Sequence, residues 1–260
     1  MNEPAVPLRT VEDIAREAGS VLMEYFGKIR RITYKGIGDI VTEADKASEI
    51  LIAERLQSEF PNHAVYGEEF GMSSAKSDNC WVTDPLDGTT NYAASFPIFA
   101  VAIALLQKGV PMLGVVFDPS ADRMYSAAKN HGATLNGVPL HVNNREKLDA
   151  IGLFGYSSDV IASLNGFVQK PFKGRSLGSA ALHICAVAAG DFDGSFDTNT
   201  KLWDIAAPTV ILEEAGGIMT HPSGESCFPL APDASAYRGE PLPFLATNGK
   251  IHEECVKALR

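Results

Sequence analysis

WVTDPLDGTTNY, residues 81–92, ends an apolar run with two aspartates three positions apart. Trp81–Thr83 predicts a short buried strand, with Asp84 where it ends. Pro85 fixes φ and stiffens the turn. Gly88 permits a backbone shape that other residues resist. Thr89 and Thr90 open a short helical segment whose free N–H groups suit an anion. Two carboxylates beside such an anion site repel the anion unless a cation stands between them. Magnesium meets that need, because it takes hard oxygen ligands and binds phosphate alongside one or two carboxylates. Taken alone, the stretch also reads as an Asx/proline turn in which Asp87 caps a helix.

The pattern around this stretch is one of helices, then strands, then alternation. Val11, Ile14, Ala18, Val21, Leu22 and Tyr25 recur at helical spacing, which predicts a helix over 10–26, with Thr10 and Asp13 as a capping pair and Gly27 at its end. A second helix is expected from about Thr42 to Phe60, stopped by Pro61. Strands are expected at Ala64–Tyr66, Ile98–Leu106, Leu113–Phe117 and Arg123–Ala127, with "KGVP" and "DPSAD" as the turns. "TLNGVPL" carries an Asn-Gly hairpin signal. Further on, strands at Ile151–Phe154 and Phe244–Ala246 accompany helices over Ser179–Ala189, Asp204–Ala215 and Ile251–Leu259. No repeat, low-complexity tract or linker divides the 260 residues, so one layered α/β or α+β domain over 1–260 is expected.

Other acids fall at element ends. "VYGEEFG" places Glu68 and Glu69 after a short strand, where an acidic loop is the simpler reading. "LWDIAAPTVILEEAGG" puts Asp204 in the first turn of an apolar helix, a position that capping alone accounts for. Asp45 stands in the opening turn of the second helix, where the dipole favours an acid. Four carboxylate positions at element ends, however, are where α/β sites assemble.

Composition excludes several classes. The formal net charge is −10 and no long Lys/Arg run exists, which argues against a nucleic acid or an anionic membrane surface as partner. The longest apolar stretch, Ile98–Leu106, is too short to span a bilayer. The opening MNEPAVPLRTVED does not read as a secretory signal. Cys80, Cys185, Cys227 and Cys255 form no CxxC and are expected to be free, mostly buried thiols in a reducing cytoplasm.

"YGEE", "WVTDPLDGTTNY" and "WDIAAPTVILEEAGG" together resemble the inositol monophosphatase family, a branch of the magnesium-dependent, lithium-sensitive phosphatases that include fructose-1,6-bisphosphatases. The Asp84–Thr89 core arises by chance in well under about one chain in a hundred, so it is a specific signal. The resemblance implies an αβαβα sandwich, often a homodimer. It implies metal ligation by Glu68, Asp84, the carbonyl of Leu86, Asp87 and Asp204, holding two or three Mg²⁺ ions. Gly88 and Thr89 would bind phosphate through backbone N–H groups, with Asp87 and Asp204 alongside. Thr89 and Asp45 would orient and help deprotonate the attacking water, with Glu68 assisting. Lys35, in "YKGIGDIVTEAD", falls where the family has a supporting lysine. "GRSLGSAAL" matches the substrate-side motif and nominates Gly178, Ser179 and Ala180. Asp197 stands where inositol-specific members typically have glutamate, which implies a broad or shifted specificity. The stretch between about Tyr156 and Lys173 is shorter than in animal members, which implies a different substrate rim. Inositol phosphates, fructose 1,6-bisphosphate, histidinol phosphate and phosphoadenosine phosphates are the substrates that the wider group implies.

Two other readings compete. "GRSLG" fits the G-x-S-x-G nucleophile elbow, with Ser176 as nucleophile and Asp193 and His221 or His252 as partners. That pattern arises by chance roughly once in seven such chains and leaves the Asp84–Thr89 cluster unexplained. A non-catalytic protein that binds a metal or sugar phosphate is the other; loss of a ligand would favour it, yet every acid is present. His63 and His131 stand beside asparagine and read as solvated turn residues.

Overall fold

A computed structural model describes residues 7–28, 32–36, 39–73, 77–158, 160, 172–230 and 237–259. The first helix, α1 (Leu8–Tyr25), buries Val11, Ile14, Ala18 and Leu22. It begins at Pro7 with no side-chain cap, so the expected Thr10/Asp13 cap is absent. Leu8 packs on the same apolar cluster as those four, which extends the helix past the polar pair. A hairpin not expected from sequence follows, β1 (Ile32–Gly36) against β2 (Asp39–Thr42). α2 (Glu43–Glu59) opens on a capping box in which Thr42 accepts from the Ala44 N–H and Asp45 accepts from the Thr42 N–H.

The next run contains β3 (Ala64–Gly67), β4 (Gly71–Met72) and β5 (Asn79–Asp87). β5 is longer than predicted and continues through Pro85. It pairs antiparallel with β6 (Ala100–Gln107), Asp84 opposite Ala102 and Asp87 opposite Ala100, with a bulge between that accommodates the proline. The short helix α3 (Thr89–Ala93) lies between these strands. β7 (Val110–Asp118), β8 (Arg123–Ala128), β9 (Ala133–Leu135) and β10 (Val138–Pro139) continue the meander. The last hairpin turns on Asn136 and Gly137, both at positive φ (51° and 78°), as the Asn-Gly signal requires.

The second half contributes β11 (Leu153–Tyr156), β12 (Lys173–Arg175), α4 (Ala180–Ala188), β13 (Gly194–Asp197), α5 (Leu202–Glu214), β14 (Ile218–Thr220), β15 (Phe244–Thr247) and α6 (His252–Leu259). Eight strands form one sheet in the order β10-β9-β8-β7-β6-β5-β3-β4, and five form another in the order β12-β11-β13-β15-β14.

Alternation along the central strands explains the layers. Trp81, Val101, Ile103, Val115 and Phe117 face α1 and α2. Val82, Ala100, Ala102, Ala104 and Val116 face α4 and α5 on the other side. The alanine face lets α5 lie close: a Cβ on Gly114 would stand 2.2 Å from the Ala207 carbonyl oxygen. The second sheet closes the same cluster with Phe244 and Ala246, and its outer face packs Phe196 and Leu245 against α6 through Ile251 and Cys255. The result is the αβαβα sandwich. No helix among the described residues is long and apolar enough to cross a membrane. All four cysteines are buried, and none is in a disulfide.

Candidate active site

The bulged end of β5 brings the acids together. Asp84 is 1% exposed, and its Oδ1 accepts the Leu86 N–H at 2.9 Å. Asp87 accepts from the Ser179 hydroxyl and from the N–H groups of Ala180 (3.2 Å) and Ala181 (2.9 Å). It thus caps α4, not the adjacent α3. Asp204, in the first turn of α5, accepts the Lys201 N–H at 2.7 Å. One carboxylate oxygen from each of Asp84, Asp87 and Asp204 lies within 4.8 Å of the others. Glu68, in the turn after β3, donates its N–H to the Thr83 carbonyl (3.3 Å), one residue before Asp84.

The electrostatics of this cluster call for a cation. Burial holds the Asp84 carboxyl well above the usual range, and Glu68, Asp87 and Asp204 raise it further. Asp204 is raised in the same way, by burial first and then by Asp87 and Glu68. Asp87 is raised to about 6 by burial, against the pull of the Ser179 hydroxyl and the Ala181 and Ala180 N–H groups. No lysine or arginine among the described residues pairs with these three acids. Buried carboxylates of this kind hold protons or a metal ion, and an all-oxygen donor set suits Mg²⁺.

Leu86 divides its roles. Its side chain is buried in the α1/α2 cluster, while its carbonyl accepts the Thr89 hydroxyl at 3.1 Å on the site side. The same hydroxyl stands 3.3 Å from Asp45 Oδ1, and Asp45 Oδ2 is held by the Thr42 N–H and hydroxyl. Gly88 sits at φ 95°, and a Cβ there would meet the Ile98 and Gly178 carbonyl oxygens at 3.0 and 3.2 Å. Only glycine fits both the backbone shape and the space.

A cleft of about 550 Å³ opens beside the acids, lined by Thr90, Ser157, Ser176, Gly178, Ser179, Ala180, Asp197 and Asp204 among others. Asp197 ends β13, and its Oδ1 accepts the Thr198 and Asn199 N–H groups at 2.7 and 3.0 Å. Asn91 and His183 were not singled out by sequence. Asn91 Nδ2 donates to the carbonyls of Ile98 (2.8 Å) and Leu177 (2.7 Å), and His183 Nε2 accepts the Leu177 N–H (2.8 Å). One peptide unit on either side of Leu177 is thereby tied to α3 and α4. Asn91 lies within the motif itself, so its place there was the available signal. Lys35 belongs to β1, but its side chain lies outside the described residues, as does most of the 156–173 rim.

Ser176 does line the cleft, between β12 and α4, but its expected partners are engaged elsewhere. Asp193 accepts from Asn143 and Arg145, His221 bonds the Pro243 carbonyl, and His252 bonds the hydroxyls of Thr220 and Thr247. The serine-hydrolase triad is not assembled among the described residues.

Comparisons with known proteins agree with this geometry. The model of the inositol monophosphatase family matches residues 6–260. The inositol-1-monophosphatase of Synechocystis sp. is 39% identical, over 97% of this chain and 89% of its own. The fructose-1,6-bisphosphatase/inositol-1-monophosphatase of Aquifex aeolicus is 41% identical, over 82% of this chain and 84% of its own. Among solved structures, the extragenic suppressor protein suhB from Bartonella henselae superposes with a TM-score of 0.87 at 29% identity, covering 97% of each chain.

Proposed function

The chain belongs to the inositol monophosphatase family, a family of phosphoric monoester hydrolases, and from that premise we propose a Mg²⁺-dependent hydrolase of the monophosphate of a small neutral polyol, inositol 1-phosphate or a close analogue. The observation that carries the metal reading is the group of three aspartate oxygens within 4.8 Å, two of them on buried residues, with no lysine or arginine among the described residues paired to them. Glu68, Asp84, the Leu86 carbonyl, Asp87 and Asp204 would hold two or three Mg²⁺ ions. When bound, the ions would supply a water of lowered pKa and neutralise charge on the leaving oxygen.

The chain's own residues do the rest. The N–H groups of Gly88 and Thr89, at the free end of α3, hold the phosphate oxygens. Asp45 Oδ1 draws the Thr89 hydroxyl proton, so the Thr89 oxygen accepts a proton from the attacking water. The clamp on Leu177 presents Gly178, Ser179 and Ala180 to the substrate. Asp197 stands at the wall where the alcohol half is read. The described residues lining the cleft offer hydroxyl, amide and carboxylate groups but no lysine or arginine. Among those described residues a second phosphate would meet no counter-charge, which favours a monophosphate over fructose 1,6-bisphosphate or a phosphoadenosine phosphate. Sensitivity to lithium, a homodimeric assembly, one catalytic domain over 1–260 and a cytoplasmic location complete the proposal; the family resemblance supports the first three and the buried thiols, none in a disulfide, the last.

The test is phosphate release from inositol 1-phosphate, fructose 1,6-bisphosphate, histidinol phosphate and a phosphoadenosine phosphate, with Mg²⁺, with EDTA and after Mg²⁺ add-back. Inositol 1-phosphate is expected to lead and EDTA to abolish turnover. Full turnover in the chelated sample would refute the metal reading. A bisphosphate as best substrate would refute the substrate reading.

A further inference from the structure

The geometry points to Glu49 as the positioning residue that sets the Glu68 arm of the metal site before any ion arrives. The inference rests on the reading of Glu68 as a ligand and names a residue outside that ligand set. α2 carries Asp45, Ser48 and Glu49 at spacings of three and four, hence on one face. They are 1%, 0% and 2% exposed, although the ordinary place for such residues is the solvent side. Each reaches a different segment of the site. Asp45 meets Thr89, and the Ser48 hydroxyl donates to the Pro85 carbonyl at 3.0 Å. Glu49 accepts the N–H of Glu69 through Oε2 and the N–H of Phe70 through Oε1, both at 2.8 Å.

The Glu49 carboxylate therefore grips the turn immediately after Glu68. It also fixes the residue before it. A Cβ on Gly67 would lie 2.1 Å from Glu49 Oε1, so β3 passes directly over the carboxylate and only glycine allows the approach. Glu68 is thus held from both sides, with its own N–H on the Thr83 carbonyl of β5. Such a grip has a physical purpose. Glu68 raises the Asp84 carboxyl, so without an ion the two groups repel and an unrestrained Glu68 would turn towards water. Two charge-assisted hydrogen bonds donated by the Glu69 and Phe70 N–H groups to the buried Glu49 carboxylate oppose that swing and preorganise the arm.

Glu49→Asp is the decisive variant. It keeps the negative charge and loses the reach. Mg²⁺ binding would be measured by titration calorimetry, and amide exchange at residues 67–70 would be followed in the metal-free protein. The expected result is faster exchange at Glu69 and Phe70, Mg²⁺ affinity lower by roughly 10–100-fold, and KM unchanged at saturating Mg²⁺. Glu49→Gln, which offers one carbonyl oxygen to two N–H groups, should act in the same direction. Wild-type Mg²⁺ affinity in Glu49→Asp alongside a loss in Glu49→Gln would mean that Glu49 acts through charge alone and would overturn the proposal. So would a lowered melting temperature with unaltered Mg²⁺ affinity and exchange. Glu68→Gln is the control for the underlying reading: if it binds Mg²⁺ as the wild type does, Glu68 is not a ligand, whereas a loss there with none in Glu49→Asp discards Glu49 only.

Discussion

Protonation of His183 should unfasten the substrate-side loop and cost measurable stability. His183 is 1% exposed within α4, its Nε2 accepts the Leu177 N–H, and its ring lies against β11, where a Cβ on Gly155 would be 3.0 Å from Cδ2. Burial lowers its pKa from 6.5 to about 4. The folded state therefore binds fewer protons than the unfolded chain between those values. The stability this neutral imidazole contributes is complete above pH 6.5 and is lost as pH falls through about 4. The gap corresponds to about 3 kcal/mol in full, of which about 2 kcal/mol is gone at pH 5. Asp84, Asp87 and Asp204 work in the opposite sense in metal-free protein, because raised carboxyl pKa values add stability at low pH and withdraw it as pH rises. A comparison removes that background. Urea denaturation of EDTA-treated wild type and His183→Gln should be run at pH 7 and pH 5. Glutamine keeps an acceptor for the Leu177 N–H and does not titrate. The advantage of wild type over the variant should shrink by about 2 kcal/mol at pH 5. An advantage that stays constant across this range would refute the reasoning.

Three substitutions separate chemistry from structure at the acids and the cleft wall. Asp204→Asn keeps an acceptor for the Lys201 N–H and relieves repulsion among the acids, so the metal-free melting temperature should equal or exceed wild type while activity and Mg²⁺ affinity collapse; parallel loss of metal-free stability and activity would restore a capping role alone. Thr89→Ala retains the backbone N–H, so steady-state kinetics should show kcat lower by roughly 10²–10⁴-fold with KM little altered. Asp197→Glu should raise kcat/KM for inositol 1-phosphate relative to glycerol 2-phosphate, and should lower the melting temperature because the longer side chain gives up the Thr198 and Asn199 N–H groups.

Sequence periodicity found every helix except α3 as a full element, and it found the strands of the large sheet from β3 to β8 apart from the two-residue β4, because those segments bury one stripe or both faces of an apolar run, while the Asn-Gly signal marked the β9–β10 hairpin. It missed the β1–β2 hairpin, β4, β13 and β14. β13 is four residues, Gly194–Asp197, buried throughout, so it shows no alternation; its pairing with β11 and β15 makes it a strand. It also ended β5 at Thr83, because Pro85 reads as a stop until β6 supplies the bulge that accepts it. The site divides in the same way. Asp84 and Asp87 were legible from one dense stretch, but the partners of Asp87 are 92 to 94 residues away, and Thr89 meets Asp45 across 44. No local pattern encodes such pairs. What a sequence can reveal is a violation. Asp45, Ser48 and Glu49 occupy the buried face of a helix whose neighbours there are Ala44, Ile52 and Leu56. A solvated helix would turn those polar groups outward. Their inward position is stable because the N–H groups of Glu69 and Phe70 in the turn after β3, the Pro85 carbonyl of β5 and the Thr89 hydroxyl of α3 stand ready to bond them, and those segments carry Glu68, Asp84, Asp87 and Thr89. The helical residues that most resemble ordinary surface are therefore the ones that hold the acid cluster in register.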